Sequence, residues 1–275
     1  MKDWKQAFDQ KKIRIIDHSD PDILETPMAS FATDDALCIH VSEKTNTLAT
    51  RLWVHKPTIV LGILDARLPF LEKGMSYLRE QGYQMVVRNS GGLAVVLDEG
   101  VLNFSIILGE ATKLGIHDGY LIMVDFVRDL FQDLTTDIDA YEIKGSYCPG
   151  DYDLSIGGKK FAGISQRRVK NGTAVQIYLD IEGSGTKRAE LVRNFYELGL
   201  DSEETRFDYP EIVPDTMRSL SELLDHPLTV SEVCDRIVKQ IDGEYDSLTE
   251  SELEIFEKRM KLMIDRNKKA LGDYF

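Results

Sequence analysis

Cysteine is scarce in this chain: Cys38, Cys148 and Cys234 are the three present, far apart and never in a CxxC pair. An odd, scattered set predicts neither a disulfide framework nor a zinc site, and it points to a cytosolic protein with free thiols. Histidine occurs five times, with no pair at i, i+4 around a glutamate, so no metal centre is expected. Positive charge is also in short supply, 33 Lys and Arg standing against 47 Asp and Glu for a net -14. A phosphate backbone or an anionic membrane surface repels such a chain, so neither nucleic acid nor membrane is expected as a partner. No stretch approaches the ~20 apolar residues of a membrane span. The charged opening MKDWKQAFDQKKIRIID lacks the apolar run of a secretion signal. Linkers, repeats and low-complexity tracts are missing too, which predicts one compact unit over residues 1–275.

What is present alternates between strand-like and helical patterns. A short apolar segment at 13–16 precedes a helix predicted over 30–40, with Cys38 on its apolar face as a buried core thiol. Strands are predicted at 51–55 and 58–61, then a helix over 69–81 opened by Pro69 and stopped by Gly82. Further strands follow at 84–88, 93–97 and 101–108, then a helix at 117–131. The next strands fall at 140–144, 152–156, 159–169 and 173–180, the last two joined by the turn Lys170-Asn171-Gly172. From residue 188 onward the pattern is helical, at 188–198, 217–224, 230–241 and 252–269. Hairpin-length connections followed by helices predict an α/β protein of α+β type. Its sheet would be mixed and largely antiparallel, flanked by helices, with a helical C-terminal cover. No strand runs into GxGxxG and a helix, so a Rossmann arrangement is not expected.

Three stretches could carry chemistry. In Val87-Arg88-Asn89-Ser90-Gly91-Gly92-Leu93, paired glycines between strands let backbone approach a ligand and expose N–H groups, although a Ser-Gly-Gly turn also serves as a plain hairpin. In Gly145-Ser146-Tyr147-Cys148-Pro149-Gly150-Asp151, a cysteine sits among turn formers, an exposed and conformationally special place for a thiol. A free thiol with a reference pKa of about 8.5 is only ~3% ionised at neutral pH, so a nucleophilic cysteine needs a cation nearby. Twelve positions on lies Lys160, in Gly157-Gly158-Lys159-Lys160-Phe161-Ala162-Gly163. Strand alternation puts Lys160, Ala162 and Ile164 on one face and Lys159, Phe161 and Gly163 on the other; two solvated lysines at a hairpin end would give the same pattern.

RNSGGLAVVLDEGVLN resembles the RxSGGxAVxxDxGxLN signature of the biotin/lipoate protein ligase and lipoyl transferase superfamily, and GGKKFAGISQ is similar to that superfamily's second block. Both motifs occur in order, over a core of roughly residues 45–250, with 251–275 left as a C-terminal helix packed on it. Together with SYCPGDYDLSI, the pattern most resembles the octanoyl-[glycine cleavage protein H]:protein octanoyltransferase branch, the lipoyl amidotransferases. That resemblance implies the biotin/lipoate protein ligase catalytic fold, a thioester on Cys148, a Lys160 that favours the thiolate, and no cofactor. It implies that Ser90, Gly91 and Gly92 line the acyl and lysine channel, with Arg88 either anchoring that loop or capping a strand. The implied donor is the glycine cleavage H protein, and the implied acceptors are lipoyl domains of 2-oxoacid dehydrogenase E2 subunits, in the cytoplasm.

Two departures bear on the branch. Lipoate ligases carry histidine before the aspartate of the first block, where this chain has Leu97 before Asp98, and they need no cysteine nucleophile. A related cysteine transferase that draws octanoate from acyl carrier protein has a longer stretch between cysteine and lysine. An ATP-dependent ligase and a non-catalytic lipoyl-domain-binding module remain the other readings. Because the implied partners are acidic, docking needs a local basic patch, for which Gln166-Arg167-Arg168-Val169-Lys170 with Lys187-Arg188 is the candidate; a solvated hairpin rim is the alternative.

Overall fold

The computed structural model describes residues 3–44, 46–109, 112–203 and 205–272; the end of the predicted C-terminal segment, 273–275, and the start of the predicted core at residue 45 lie outside them. In chain order the elements begin α1 Trp4–Phe8, β1 Lys12–His18, α2 Pro27–Ser42, β2 Thr47–Trp53 and β3 Thr58–Leu61. A 3-10 turn Asp65–Arg67 leads to α3 Leu71–Glu80, β4 Gln84–Val87, β5 Val95–Leu97, β6 Val101–Leu108 and α4 Ile116–Leu130. Then come β7 Ile138–Ala140, β8 Leu154–Ile156, β9 Lys159–Val169, β10 Gly172–Asp180 and α5 Gly185–Leu200. The last are α6 Leu220–Leu224, α7 Val230–Ile241, β11 Glu244–Asp246 and α8 Glu250–Leu271.

The strands form two sheets. The larger has the order β11-β1-β2-β6-β10-β9-β8-β7, and the smaller has the order β4-β3-β5. β1 pairs in parallel with β2 and β11, and β3 with β4, while the remaining pairings are antiparallel, so the architecture is mixed and mainly antiparallel. Alternation along β6 and β10 sorts the core. Leu102, Phe104, Ile106, Val175, Ile177 and Leu179 turn to the face covered by α1, α4 and α7. Ile107 and Ala174 turn the other way, onto α2. All nine residues of β10 are buried, as befits a strand covered on both faces.

α2 is capped by the Thr26 hydroxyl, starts at Pro27 and is buried all round, because it lies between the sheet and α8. α8 starts with a capping box between Thr249 and Glu252, and the same Glu252 carboxylate receives Arg14 of β1 at 2.6 and 2.9 Å. The predicted strand at 140–144 ends at Ala140: from Tyr141 the backbone curls around Asp153, whose carbonyl and carboxylate accept from Tyr141 and Ile143. The helix predicted over 217–224 starts only at Leu220, since Met217 runs extended beside Lys160. The hairpin turn is Lys170-Asn171, with Lys170 at φ 55; Gly172 is already in β10, where a Cβ would collide with the carbonyl of Cys38 in α2.

Candidate active site

Cys148 lies in the loop between β7 and β8, in a left-handed conformation at φ 44, which costs a non-glycine residue about 1–2 kcal/mol. What holds it there is Lys160, fully buried on β9. Its ammonium donates to the carbonyls of Tyr147 and Cys148, both at 2.9 Å, and to Ser146 Oγ at 3.2 Å, and it pairs with Asp153 Oδ1 at 2.9 Å. Asp153 Oδ2 in turn accepts from the backbone N–H groups of Ile143 and Gly150, each at 3.2 Å. Burial pushes the Asp153 carboxyl up, against the pull of Lys160 and those two donors. The loop is therefore wrapped around one buried ion pair.

A bulge aims Lys160. Leu154 pairs with Ala162 and Ser155 with Lys160, so Phe161 is the extra residue on β9 and the simple alternation of the strand breaks there. The predicted grouping of faces fails as a result: Lys160 and Gly163 come together, a Cβ on Gly163 lying 3.5 Å from the Lys160 Cε.

Among the described residues the donors to the Cys148 sulfur are Arg88 and Leu93, not Lys160. Arg88 Nη2 lies 3.3 Å from Sγ and the Leu93 N–H donates to it at 3.2 Å, while the same Nη2 donates to the Leu93 carbonyl at 2.6 Å. A cation and a backbone N–H thus both point at the sulfur. Gly92 makes this approach possible: it sits at φ +106, and a Cβ there would collide with the Arg88 guanidinium and lie 2.9 Å from Sγ. Gly91 has open space around it, and Ser90 lines the same cavity with its Oγ buried and unpartnered.

A second buried group braces that loop. Asp65 accepts from the Gly62 N–H at 2.7 Å and from the Tyr196 hydroxyl at 2.8 Å, and that hydroxyl accepts from the Ala94 N–H at 3.2 Å. Burial raises the Asp65 carboxyl to about 6. Asp65 and Tyr196 escape a reading of sequence because they are remote from each other, standing 131 positions apart. Ser146 and Asp153, both inside SYCPGDYD, sit within a stretch already singled out.

From Cys148 a cavity of about 240 Å³ runs between the two sheets. Its floor is one cross-strand row, Gly163 beside Tyr178, Tyr178 beside Asn103, Asn103 beside Trp53. Three strand spacings span about 14 Å. Val60, Val95 and Leu97 of the smaller sheet line it, and Phe31 of α2 stands edge-on to Trp53 at 6.0 Å. Behind Trp53 lies a polar row in which Asp34 accepts from Arg51 at 2.7 Å, Ser105 at 2.8 Å and Gln176 at 2.6 Å. The site is thus a cysteine sulfur at one end of a narrow, mostly apolar slot.

The predicted docking patch comes apart. Arg188 is buried, bound to Asp98 at 2.5 and 2.8 Å and to Asp180 at 2.7 Å, so it staples the start of α5 to the sheet and offers no charge to solvent. Lys187 follows the end of β10 while Lys170 precedes its start, a strand length of roughly 30 Å apart. Arg167 is paired with Asp35 at 2.9 Å, and Arg168 donates to the carbonyl of Leu114. No group of three or more His, Cys, Asp or Glu able to hold a metal ion occurs among the described residues.

Residues 26–242 match the lipoyl protein ligase A/B catalytic domain. The chain is 54% identical to the octanoyl-[GcvH]:protein N-octanoyltransferase of Oceanobacillus iheyensis, covering 97% of this chain and 99% of that one. It is 49% identical to the enzyme of the same name from Bacillus velezensis, covering 98% and 97%. In fold it is similar to lipoate-protein ligase A bound with ATP, with a TM-score of 0.72 at 15% identity over 96% of this chain and 99% of that one. A bi-partite lipoate protein ligase from Thermoplasma acidophilum gives 0.64 at 18% identity over 92% of each. By its sequence match and its two-sheet architecture alike, this chain belongs to the lipoyl protein ligase A/B catalytic domain family.

Proposed function

We propose that this chain is an octanoyl-[GcvH]:protein N-octanoyltransferase that works through a thioester on Cys148. The observation that carries the reading is the Cys148 sulfur, met by the Arg88 guanidinium and the Leu93 N–H at the head of an apolar slot. The names of the near full-length relatives supply the acyl group and the donor. The octanoyl chain lies along the row from Gly163 toward Trp53, its carbonyl at the sulfur.

In the first half-reaction the thiolate attacks the octanoyl-lysine amide of GcvH; a carbon–sulfur bond forms, the carbon–nitrogen bond breaks, and the amine leaves with the proton the thiol gave up. In the second, an acceptor lysine amine on an E2 lipoyl domain attacks the thioester, the carbon–sulfur bond breaks, and the proton lost by that amine returns to sulfur. One amide replaces another, so ATP is not needed. Arg88 and Leu93 pair with the thiolate and are the nearest donors to the oxyanion of each tetrahedral intermediate. Lys160 acts on the loop: it fixes the peptide carbonyls on either side of Cys148 and thereby the direction of Sγ. The reaction belongs in the cytoplasm, whose reducing conditions suit free thiols. Among the described residues no helix is long and apolar enough to cross a membrane.

Intact mass spectrometry tests this. After incubation with octanoylated GcvH and no ATP, the native chain should gain one octanoyl group that hydroxylamine removes, and Cys148→Ser should gain none. Labelling only by octanoyl acyl carrier protein would overturn the donor, and labelling of neither kind would overturn the thioester.

A further inference from the structure

Beside the catalytic slot lies a second, wider groove of about 660 Å³, between α8, the turn after β3 and the hairpin strand β9. The two linings draw on neighbouring residues: Ser90 lines the slot and Asn89 the groove, and Gln166 lines the slot and Arg167 the groove. Two of the large apolar side chains exposed among the described residues, Ile63 at 45% and Leu262 at 55%, line this groove. Around them stand Arg67, Arg167, Arg259, Arg266 and Lys269. The acids in the lining are Asp35 and Asp265, and Asp35 is already engaged by Arg167 at 2.9 Å and approached by Arg259 at 3.8 Å. A cationic groove with exposed apolar contacts, on a chain of net charge -14, is a local reversal of the molecule's sign.

We propose that this groove docks the protein that carries the modified lysine, through carboxylates and an apolar side chain that flank that lysine on the partner's surface. The inference rests on the reading of the chain as a protein acyltransferase, since a lysine side chain reaches the sulfur only if its own backbone is seated next to the slot. The apolar pair supplies contact area, and the cations select an acidic partner and speed its encounter over the long-range repulsion of two negative molecules. Neutral or basic proteins gain nothing from these side chains.

The test uses the full-length chain. Arg266→Glu with Lys269→Glu, and separately Leu262→Asp, are compared with Lys187→Glu and Lys239→Glu, reversals of exposed charge on α5 and α7. Binding of an unmodified lipoyl domain and of GcvH to each variant in a Cys148→Ser background is followed by titration, and self-acylation of Cys148 by S-octanoyl-N-acetylcysteamine is followed by mass. The groove variants should weaken protein binding about tenfold or more, the size of ~1.4 kcal/mol. They should flatten its salt dependence and leave self-acylation by the small thioester as it was. The control reversals should do neither. Undiminished binding in the groove variants, or the same loss in the controls, overturns the groove; so does an equal fall in self-acylation by the small thioester. Groove-dependent binding in a chain that takes no octanoyl from GcvH would overturn the transferase reading and leave the docking surface standing.

Discussion

A fully buried ion pair backs each end of the slot. Lys160 and Asp153 lie behind the cysteine; Arg51 and Asp34 lie behind Trp53. In both, the cation comes from a strand of the large sheet and the anion from a separate segment. The difference is where the remaining donors go. The three protons of Lys160 face four acceptors, all of them in the loop that carries Cys148, so the pair builds a strained backbone turn. Arg51 donates to Asp34 and to the Ser30 carbonyl, stacks over Trp53 at 4.7 Å, and leaves Nη1 without a partner. Asp34 gathers Ser105 and Gln176 as well, so that pair binds α2 to three strands. One pair shapes the Cys148 loop; the other fastens the scaffold.

Substitution separates the two. Breaking a buried pair from one side costs about 3–5 kcal/mol, so Lys160→Met and Arg51→Met should each lower the denaturant midpoint by a similar amount. Only Lys160→Met should also slow self-acylation of Cys148, by about a hundredfold, because the turn that aims the sulfur relaxes. Equal slowing by both would erase the distinction. Next in size, Arg88→Gln should slow iodoacetamide capture of Cys148 about tenfold, from the ~1.5–3 kcal/mol of a hydrogen bond to a charged group. The assay reports on this thiol: burial pushes Cys38 well up and Cys234 to about 12.

Tyr196→Phe sharpens the comparison from the other side of the loop. It leaves the Asp65 carboxylate short of a donor and the Ala94 N–H short of an acceptor, which should cost ~1–3 kcal/mol of stability. Acylation should slow severalfold through the displaced Leu93 N–H; a stability loss with an unaltered rate would make the tyrosine part of the scaffold alone. An effect of comparable size, seen only on acidification, belongs to the Trp53 end. Burial, aided by Arg51, lowers His55 to about 3. A depressed histidine contributes stability that is present above its unfolded value of about 6.5 and lost as pH falls through that value toward 3. By pH 5 the loss is ~2 kcal/mol. Asp65 and Asp180, raised by burial to about 6 and about 7, run in the opposite sense: their contribution is lost as pH rises through those values. His55→Gln compared with the native chain at pH 7 and pH 5 isolates the histidine, and the variant should lose less on acidification.

Local pattern made much of this molecule readable. α7 falls on the predicted 230–241, and the hairpin of β9 and β10 follows from alternation around an Asn-Gly pair. The mixed, largely antiparallel sheet with flanking helices follows from short connections and a helical end. The cysteine and the glycine loop stood out because turn formers surround them, and the fold brings both to the sulfur. Their contacts were less readable. Alternation put Lys160 on a face with Ala162 and Ile164, and a single extra residue on β9 undid it. Arg188 read as a surface charge beside Lys187, yet it is buried against Asp98, in the turn after β5, and Asp180, at the end of β10. The short strand β11 carries no apolar alternation of its own, its three residues being exposed, and it exists because β1 offers it an edge. For Arg188 and β11 the deciding partner lies far along the chain, where composition and periodicity carry no information.

Asn267, buried near the end of α8, accepts from the Val87 N–H at 2.7 Å through its amide oxygen and donates to the Val87 carbonyl at 3.2 Å through its amide nitrogen. β4 is the outer strand of the small sheet, so this one side chain takes the place of a neighbouring strand, at the residue before Arg88. A protease that nicked the chain ahead of α8 would thus do more than shed a cover: it would uncap an apolar strand edge able to recruit other chains, and make the same clip a trigger for aggregation as well as for inactivation.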